Sequence, residues 1–338
     1  MKLFLLIIPF VNGLLKNPNN FILRNNFSLK SNQSPFNNII EQKSFKIKKI
    51  KSISKLVRSV NILPTLFLSF SGGFIVNPSL YNLFSSTEFI SSTFITISIV
   101  SLSMIFNDLY DINLDKINNP SRPLITGEIT KLEAYSISLL FLLLIFLNEI
   151  NLSNKLQEFT NIILFGISIY TPILKKITFI KNIFCATIIS LSILYSALAV
   201  NPDVYNWIIN NSIENINYQI LLATMRYIFL GSLNNELLLD ICDVEGDKLN
   251  NVKTLPVLFG KNITFAVIIL ILFYSMLNIL FINNDYAKFS LILYLPVIID
   301  MYKIKKSNYE KIVIVKSLKN VTIPMFLMLF YMGYLAYI

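Results

Sequence analysis

Histidine is absent from the chain, and cysteine, tryptophan and glycine are scarce, at two, one and nine residues. Without histidine there can be no His-ligated haem or zinc and no His-based catalytic triad. Cys185 and Cys242 cannot build a disulfide framework, and they lack the spacing of a metal site. Charge is also thin: Asp, Glu, Lys and Arg make up 14% of the residues, where a soluble chain carries about 25%. Apolar residues fill the deficit, at 54% of the sequence with a mean hydropathy of +0.62. This composition excludes a string of soluble domains and predicts an all-α, polytopic membrane protein surrounded by lipid bilayer. The net charge is +10. It lies in short loops and an N-terminal arm, with no basic module or RNA-type aromatic motif, so nucleic acid is not expected as a partner.

The first 54 residues read as a targeting or disordered segment rather than as fold. Residues 1–13 hold one lysine and a short apolar run, like the core of a signal peptide and too short to span a bilayer. Residues 14–54 are rich in Asn, Lys and Ser and hold a single acid, Glu41. Such a two-part leader suggests an organelle membrane, a plastid first, with mitochondrial and ER membranes as alternatives. Residues 55–338 then form the membrane domain. Nine apolar segments are expected near 60–77, 88–107, 132–150, 157–174, 180–200, 217–239, 262–283, 286–301 and 317–338. Their length favours helices over barrel strands, which need only about 10 residues and alternate in polarity. Among the loops, those after the even-numbered segments carry nearly all the lysines and arginines; those after the odd-numbered ones hold only Lys155 and Lys288. By the positive-inside rule, the N-terminal arm and the basic loops share one side.

On that side the chain repeats itself. Asp108, Asp111 and Asp115 are followed by Lys-Ile-Asn-Asn; Asp240, Asp243 and Asp247 are followed by Lys-Leu-Asn-Asn, 132 positions on. The spacings place each trio on one helical face, about a turn apart. Carboxylates so close repel one another unless a cation is shared between them. Magnesium is a hard cation that prefers oxygen and commonly binds through carboxylates plus substrate phosphates. Two such clusters among lysines and arginines predict a diphosphate held between them, with an apolar chain running into the bundle. Arg58 begins the first apolar segment, where it can reach a diphosphate or only extend to the interface. Glu236 stands one turn before Asp240 on its face and can line an acceptor site. Arg226, inside the sixth segment, needs a partner such as Glu236 or a cavity to face.

The stretches Asn107–Asp115, Pro120-Ser-Arg122-Pro-Leu-Ile-Thr-Gly127, Tyr170-Thr-Pro-Ile-Leu-Lys175, Asp240–Asp247 and Thr254-Leu-Pro256 resemble the UbiA family of intramembrane prenyltransferases. The resemblance covers about 55–338. It implies nine transmembrane helices in a UbiA-type bundle with a central cavity. It implies one magnesium at Asp108, Asp111 and Asp115 and another at Asp240, Asp243 and Asp247, with Asn107 assisting the first. Arg122, Lys175 and Lys253 would hold the diphosphate, with Tyr170 beside them. The implied reaction is transfer of a prenyl group, geranylgeranyl or phytyl, from a prenyl diphosphate donor to a lipophilic acceptor such as an aromatic or quinone precursor or chlorophyllide. Motif detail adds ether-lipid prenyltransferases to the comparison. Relatives with this second motif often carry a basic residue where this chain has Asn235 or Leu239. A transporter, a non-catalytic membrane protein and a UbiA-type terpene cyclase are the competing readings.

Overall fold

The structure is a computed structural model, and it describes residues 47–338 apart from 213 and 251. Nearly all of the leader, residues 1–46, therefore lies outside the described residues. Among the described residues there are helices and no strands. The principal ones are α1 (Ile62–Val76), α2 (Thr87–Tyr110), α3 (Ile112–Asn118), α4 (Lys131–Glu149), α5 (Asn154–Tyr170), α6 (Ile180–Val200), α7 (Ile216–Cys242), α8 (Val244–Leu249), α9 (Lys261–Ile279), α10 (Leu295–Lys306), α11 (Lys311–Asn320) and α12 (Thr322–Tyr337). A further helix, residues 47–56, precedes them. Helical structure is thus described from eight residues ahead of the boundary placed from the sequence.

Each of the nine apolar segments is helical, but they are not equally suited to cross a bilayer. Six helical stretches are long and apolar enough to do so: Ser59–Val76, Thr87–Tyr110, Lys131–Glu149, Ile180–Val200, Lys261–Ile279 and Lys311–Tyr337. Helix α5 is only 17 residues long. Helix α7 is long but carries Arg226, Glu236 and Asp240 along with several amides. The eighth segment is a 3-10 run, Asp285–Tyr294, that passes into α10 at Pro296.

Buried apolar side chains form three clusters, the third a small one of Leu56, Val57, Ile105, Ile129 and Ala134, and two of them join most of the helices. The larger joins α1, α6, α7, α9 and α12 through residues such as Leu68, Ile193, Leu221, Ile268 and Met328. The smaller joins α2, α4, α5 and α6 through Ile99, Ile145, Ile163 and Tyr195. Outside them, Leu140, Leu143, Phe146 and Leu147 of α4 stand exposed, as expected of a face toward lipid. The many hydroxyls in these helices bond back to their own backbone: Ser98 to Phe94 O at 2.8 Å and Thr160 to Leu156 O at 2.8 Å. That satisfies them without a partner from solvent. Thr160 also bonds Tyr195 Oη at 2.6 Å, tying α5 to α6.

Helix α6 runs through the middle, against α1 on one side and α7 on the other. Gly72 lets α1 come close: a β-carbon there would lie 2.1 Å from the Ile193 carbonyl oxygen. A backbone oxygen cannot turn aside as a side chain can, so small residues are required where membrane helices meet this closely. We therefore expect Gly72→Ala to wedge α1 from α6 and cost about 1–3 kcal/mol. Thermal melting in detergent would record it as a lowered transition, and an unchanged transition would refute the close-approach account.

Candidate active site

The two aspartate motifs interrupt their helices in the same way. Asp111 ends α2 and starts α3 with φ −89° and ψ 12°. Asp243 does the same between α7 and α8 with φ −104° and ψ 8°. The expected single helical face is therefore broken at the middle aspartate of each copy, and the last carboxylate of each belongs to a separate short helix. These short helices meet. The Asn118 amide sits where a β-carbon on Gly246 would be, 1.7 Å from its Oδ1. Gly246 stands where the first copy has Leu114, so the repeat loses its apolar side chain at the point of contact. Both motifs thus lie at one end of the bundle, as the loop charges predict.

Five basic side chains converge on them. Pro123 follows Arg122 and holds it extended, at φ −67° and ψ 141°. The guanidinium returns to the end of α2, with Nη1 donating to Asp108 Oδ1 at 2.8 Å and to Asp115 Oδ2. Arg58 comes from the turn before α1 in a left-handed conformation, φ 47° and ψ 59°, and its Nη2 lies 3.3 Å from Asp108 Oδ1. Such a backbone is rare outside glycine and clusters at functional sites. Helix α5 ends ahead of Pro172, and the 3-10 turn Leu174–Lys176 carries Lys175 across to Asn107 Oδ1 at 2.9 Å and to Asp111 Oδ2.

The second motif is served by residues that the sequence motifs do not mark. Lys181 donates to Asp240 Oδ1 at 2.6 Å, and Asn182 donates to Asp240 Oδ2 at 3.0 Å, both from the first turn of α6. Lys311 reaches Asp243 Oδ1 at 3.1 Å from the start of α11. The signal available for them was position alone: Lys181 and Asn182 follow the Tyr–Lys motif directly, on the basic side. Lys253 contributes differently from the expectation. Its side chain is exposed, and it is its carbonyl that accepts from Thr178 Oγ1 at 2.8 Å.

Tyr170 Oη accepts a hydrogen bond from Cys185 Sγ at 3.1 Å, and its ring stacks on Phe184. Glu236 is half-buried. It stands near Asp240, Lys181, Arg58 and Lys175, whose charges act on it. Arg226 is exposed and ten residues from Glu236, about 15 Å along the helix, so the pairing expected between them does not form.

Among the described residues no three acidic, cysteine or histidine groups form a ready-made metal cage. Five of the six motif aspartates are instead paired with basic side chains among the described residues, and Asp247 is not. Asp247 is 4% exposed, and its Oδ2 is buried without a hydrogen-bond partner. Thr254, fully buried, is close enough for its hydroxyl to act on the Asp247 carboxyl, but Thr254 Oγ1 and Asp247 Oδ2 are each without a partner at hydrogen-bond geometry. Hard anionic oxygens, one of them orphaned, are a donor set that suits a divalent cation binding through one or two carboxylates and a phosphate. Two cavities lie away from these groups. One of about 420 Å³ is lined by Leu280 to Asp285 and Lys288 at the opposite loop face, and one of about 10 Å³ lies between α2, α4 and α5. The convergence of charge locates the site.

Burial holds the Asp115 carboxyl above the usual range, opposed by the Arg122 guanidinium, and raises that of Asp247 to about 6, opposed by Lys181. An acid raised in the folded state is ionised there at a cost. For Asp247 that cost is absent below its ordinary value of 3.8, grows as pH rises through about 6, and is constant above. Asp247→Asn is therefore expected to raise the melting temperature of the metal-free protein more near pH 7 than near pH 5. Equal shifts at both would contradict this account.

Comparison with known proteins supplies the context. Residues 63–330 match the model of the UbiA prenyltransferase family. A digeranylgeranylglyceryl phosphate synthase of Saccharolobus solfataricus is 34% identical over 219 residues, 63% of this chain and 70% of that protein. One of Sulfolobus acidocaldarius is 30% identical over 66% of this chain and 74% of that protein. Among solved structures, a UbiA homolog from Archaeoglobus fulgidus bound to GPP and Mg2+ superposes with a TM-score of 0.60 at 18% identity, covering 85% of this chain and all of that one. A UbiA homolog from Aeropyrum pernix K1 gives 0.62 at 13% identity, over 82% and 96%. At these identities the structures attest the fold.

Proposed function

Because the chain belongs to the UbiA prenyltransferase family, we propose that it transfers a prenyl group from a long-chain prenyl diphosphate to a lipophilic acceptor, with magnesium, in a membrane. The observation that carries this reading is the meeting of both aspartate motifs at one bundle end, Asn118 against Gly246, under a ring of basic side chains. We read nine passes, since each apolar segment is helical, with the prenyl chain running inward from the charged end. Asp108, Asp111 and Asp115 would hold one magnesium with help from Asn107, and Asp240, Asp243 and Asp247 another. The metal, when bound, supplies positive charge to a departing diphosphate.

The chain's own residues divide the remaining work. Arg58, Arg122 and Lys175 would grip the diphosphate and stabilise its growing charge as the allylic C1–O bond breaks. Lys253, with its exposed side chain, can extend that grip from the rim. Tyr170 and Glu236, deeper along the bundle, would face the allylic carbon and the acceptor that attacks it. Both C–O cleavage and acceptor attack proceed without histidine or a protein nucleophile, which suits the composition.

For the acceptor, the relatives' names support a prenylated glyceryl phosphate with a free hydroxyl, and GPP and DMAPP in the Archaeoglobus fulgidus structures support a prenyl diphosphate donor. Geranylgeranyl diphosphate is the donor we favour; phytyl diphosphate, aromatic and quinone precursors and chlorophyllide remain competitors to be assayed. The leader on which the plastid expectation rests lies outside the described residues, and the archaeal relatives lend that organelle no support.

Purified protein in detergent should release diphosphate and form prenylated product only with magnesium. Asp108→Ala and Asp240→Ala should each lower the rate by at least about a thousandfold. Product formed with one acceptor of a panel names the substrate. Diphosphate released at full rate without any acceptor would move the reading to a cyclase. No magnesium-dependent donor binding would sink it.

A further inference from the structure

The two aspartate motifs match in sequence but not in the cations that serve them. In the first, Asp108, Asp111 and Asp115 face three basic groups: Arg58, Arg122 and Lys175. Arg122 Nη1 bridges the first and last carboxylates of the trio through two charge-assisted hydrogen bonds. In the second, among the described residues, Asp240 pairs with Lys181 and Asp243 with Lys311, and Lys311 is exposed. Glu236 adds a further carboxylate beside Asp240 and Lys181.

The cause is visible at one position. Advancing Arg122 by the repeat offset of 132 gives Thr254. Where the first copy has a guanidinium joined to Asp108 and Asp115, the second has a neutral, fully buried hydroxyl that acts on the Asp247 carboxyl, while Asp247 Oδ2 has no partner at hydrogen-bond geometry. An unpaired carboxylate oxygen buried at 4% exposure is costly unless a cation shares it. Among the described residues, three basic groups meet the three carboxylates of the first motif and two meet those of the second.

Resting on the prenyltransferase reading, we propose that the two motifs are unequal metal sites: the second binds a divalent cation on its own, whereas the first, closed by Arg122, binds its cation only together with a diphosphate. Arg122 then has two alternative partners, the Asp108–Asp115 pair and the diphosphate, and its transfer from one to the other couples the first metal to the donor. Such linkage is reciprocal, so diphosphate and the first-motif cation must strengthen each other's binding by the same factor.

The test counts manganese(II) bound by the full chain in detergent, from the loss of the free-ion paramagnetic signal, with and without inorganic pyrophosphate. Wild type should bind one ion alone and a second when pyrophosphate is added. Asp247→Asn should weaken the first ion by about tenfold or more, while the isosteric Asp115→Asn leaves it in place. Arg122→Gln should admit the second ion without pyrophosphate. Two ions, or none, bound by wild type before pyrophosphate, with pyrophosphate-dependent binding retained, would overturn the inequality but not the enzyme class. The same holds if Asp115→Asn rather than Asp247→Asn removes the first ion. No manganese under either condition would overturn both.

Discussion

Everything at the functional end follows from one constraint: carboxylates at the mouth of an apolar bundle must be neutralised. A charge moved from water toward low dielectric loses several kcal/mol of solvation unless a counter-charge and hydrogen bonds replace it. The chain answers by bringing cations from elements far apart in sequence. Arg58 comes from the turn before α1, Lys175 from the α5–α6 turn, Lys181 from α6 and Lys311 from α11. The local backbone serves that purpose: a left-handed Arg58, a proline behind Arg122, a proline that stops α5 short of Lys175. Much of what looks like irregular loop is the path these cations take.

The same constraint links the site to the fold. Cations from α6 and α11 can reach the second motif only if α6 and α7 stay packed, and α6 stays central only because Gly72 admits α1 to within backbone distance of Ile193. Gly246 has the matching role at the mouth, admitting Asn118 and so the first motif to the second. Glycine is scarce in this chain, and these two mark places where its missing side chain has a use.

The helices, the side on which the motifs lie and the six aspartates were legible because each leaves a strong local pattern: apolar length, loop charge, and a repeated spacing. Arg58, Arg122 and Lys175 were legible as well, being next to helix ends or inside motifs. Lys181, Asn182 and Lys311 were not, since a lysine at the start of a membrane helix reads the same whether it anchors the interface or turns inward to an aspartate. The break of each trio at its middle aspartate was also hidden, because three- and four-residue spacing fits a continuous helix equally well. Arg226 misled for the opposite reason: intramembrane charge suggests a partner, and its position along α7 puts Glu236 about 15 Å away.

A repeat in sequence invites the assumption of a repeat in chemistry, and the motif spacing alone supports it. Yet the residues outside the aspartates decide how each trio behaves, and these differ. Gly246, where the first copy has Leu114, seats Asn118 of that copy; Arg122 gives the last carboxylate of the first copy a counter-charge that Thr254 does not give Asp247. A symmetric pair of metal sites would bind or release a charged substrate from either half alike. An asymmetric pair sets an order, with one half holding charge in advance and the other completed by the substrate. Two changes at the rim of a duplicated motif are enough for that, with no alteration to the carboxylates themselves.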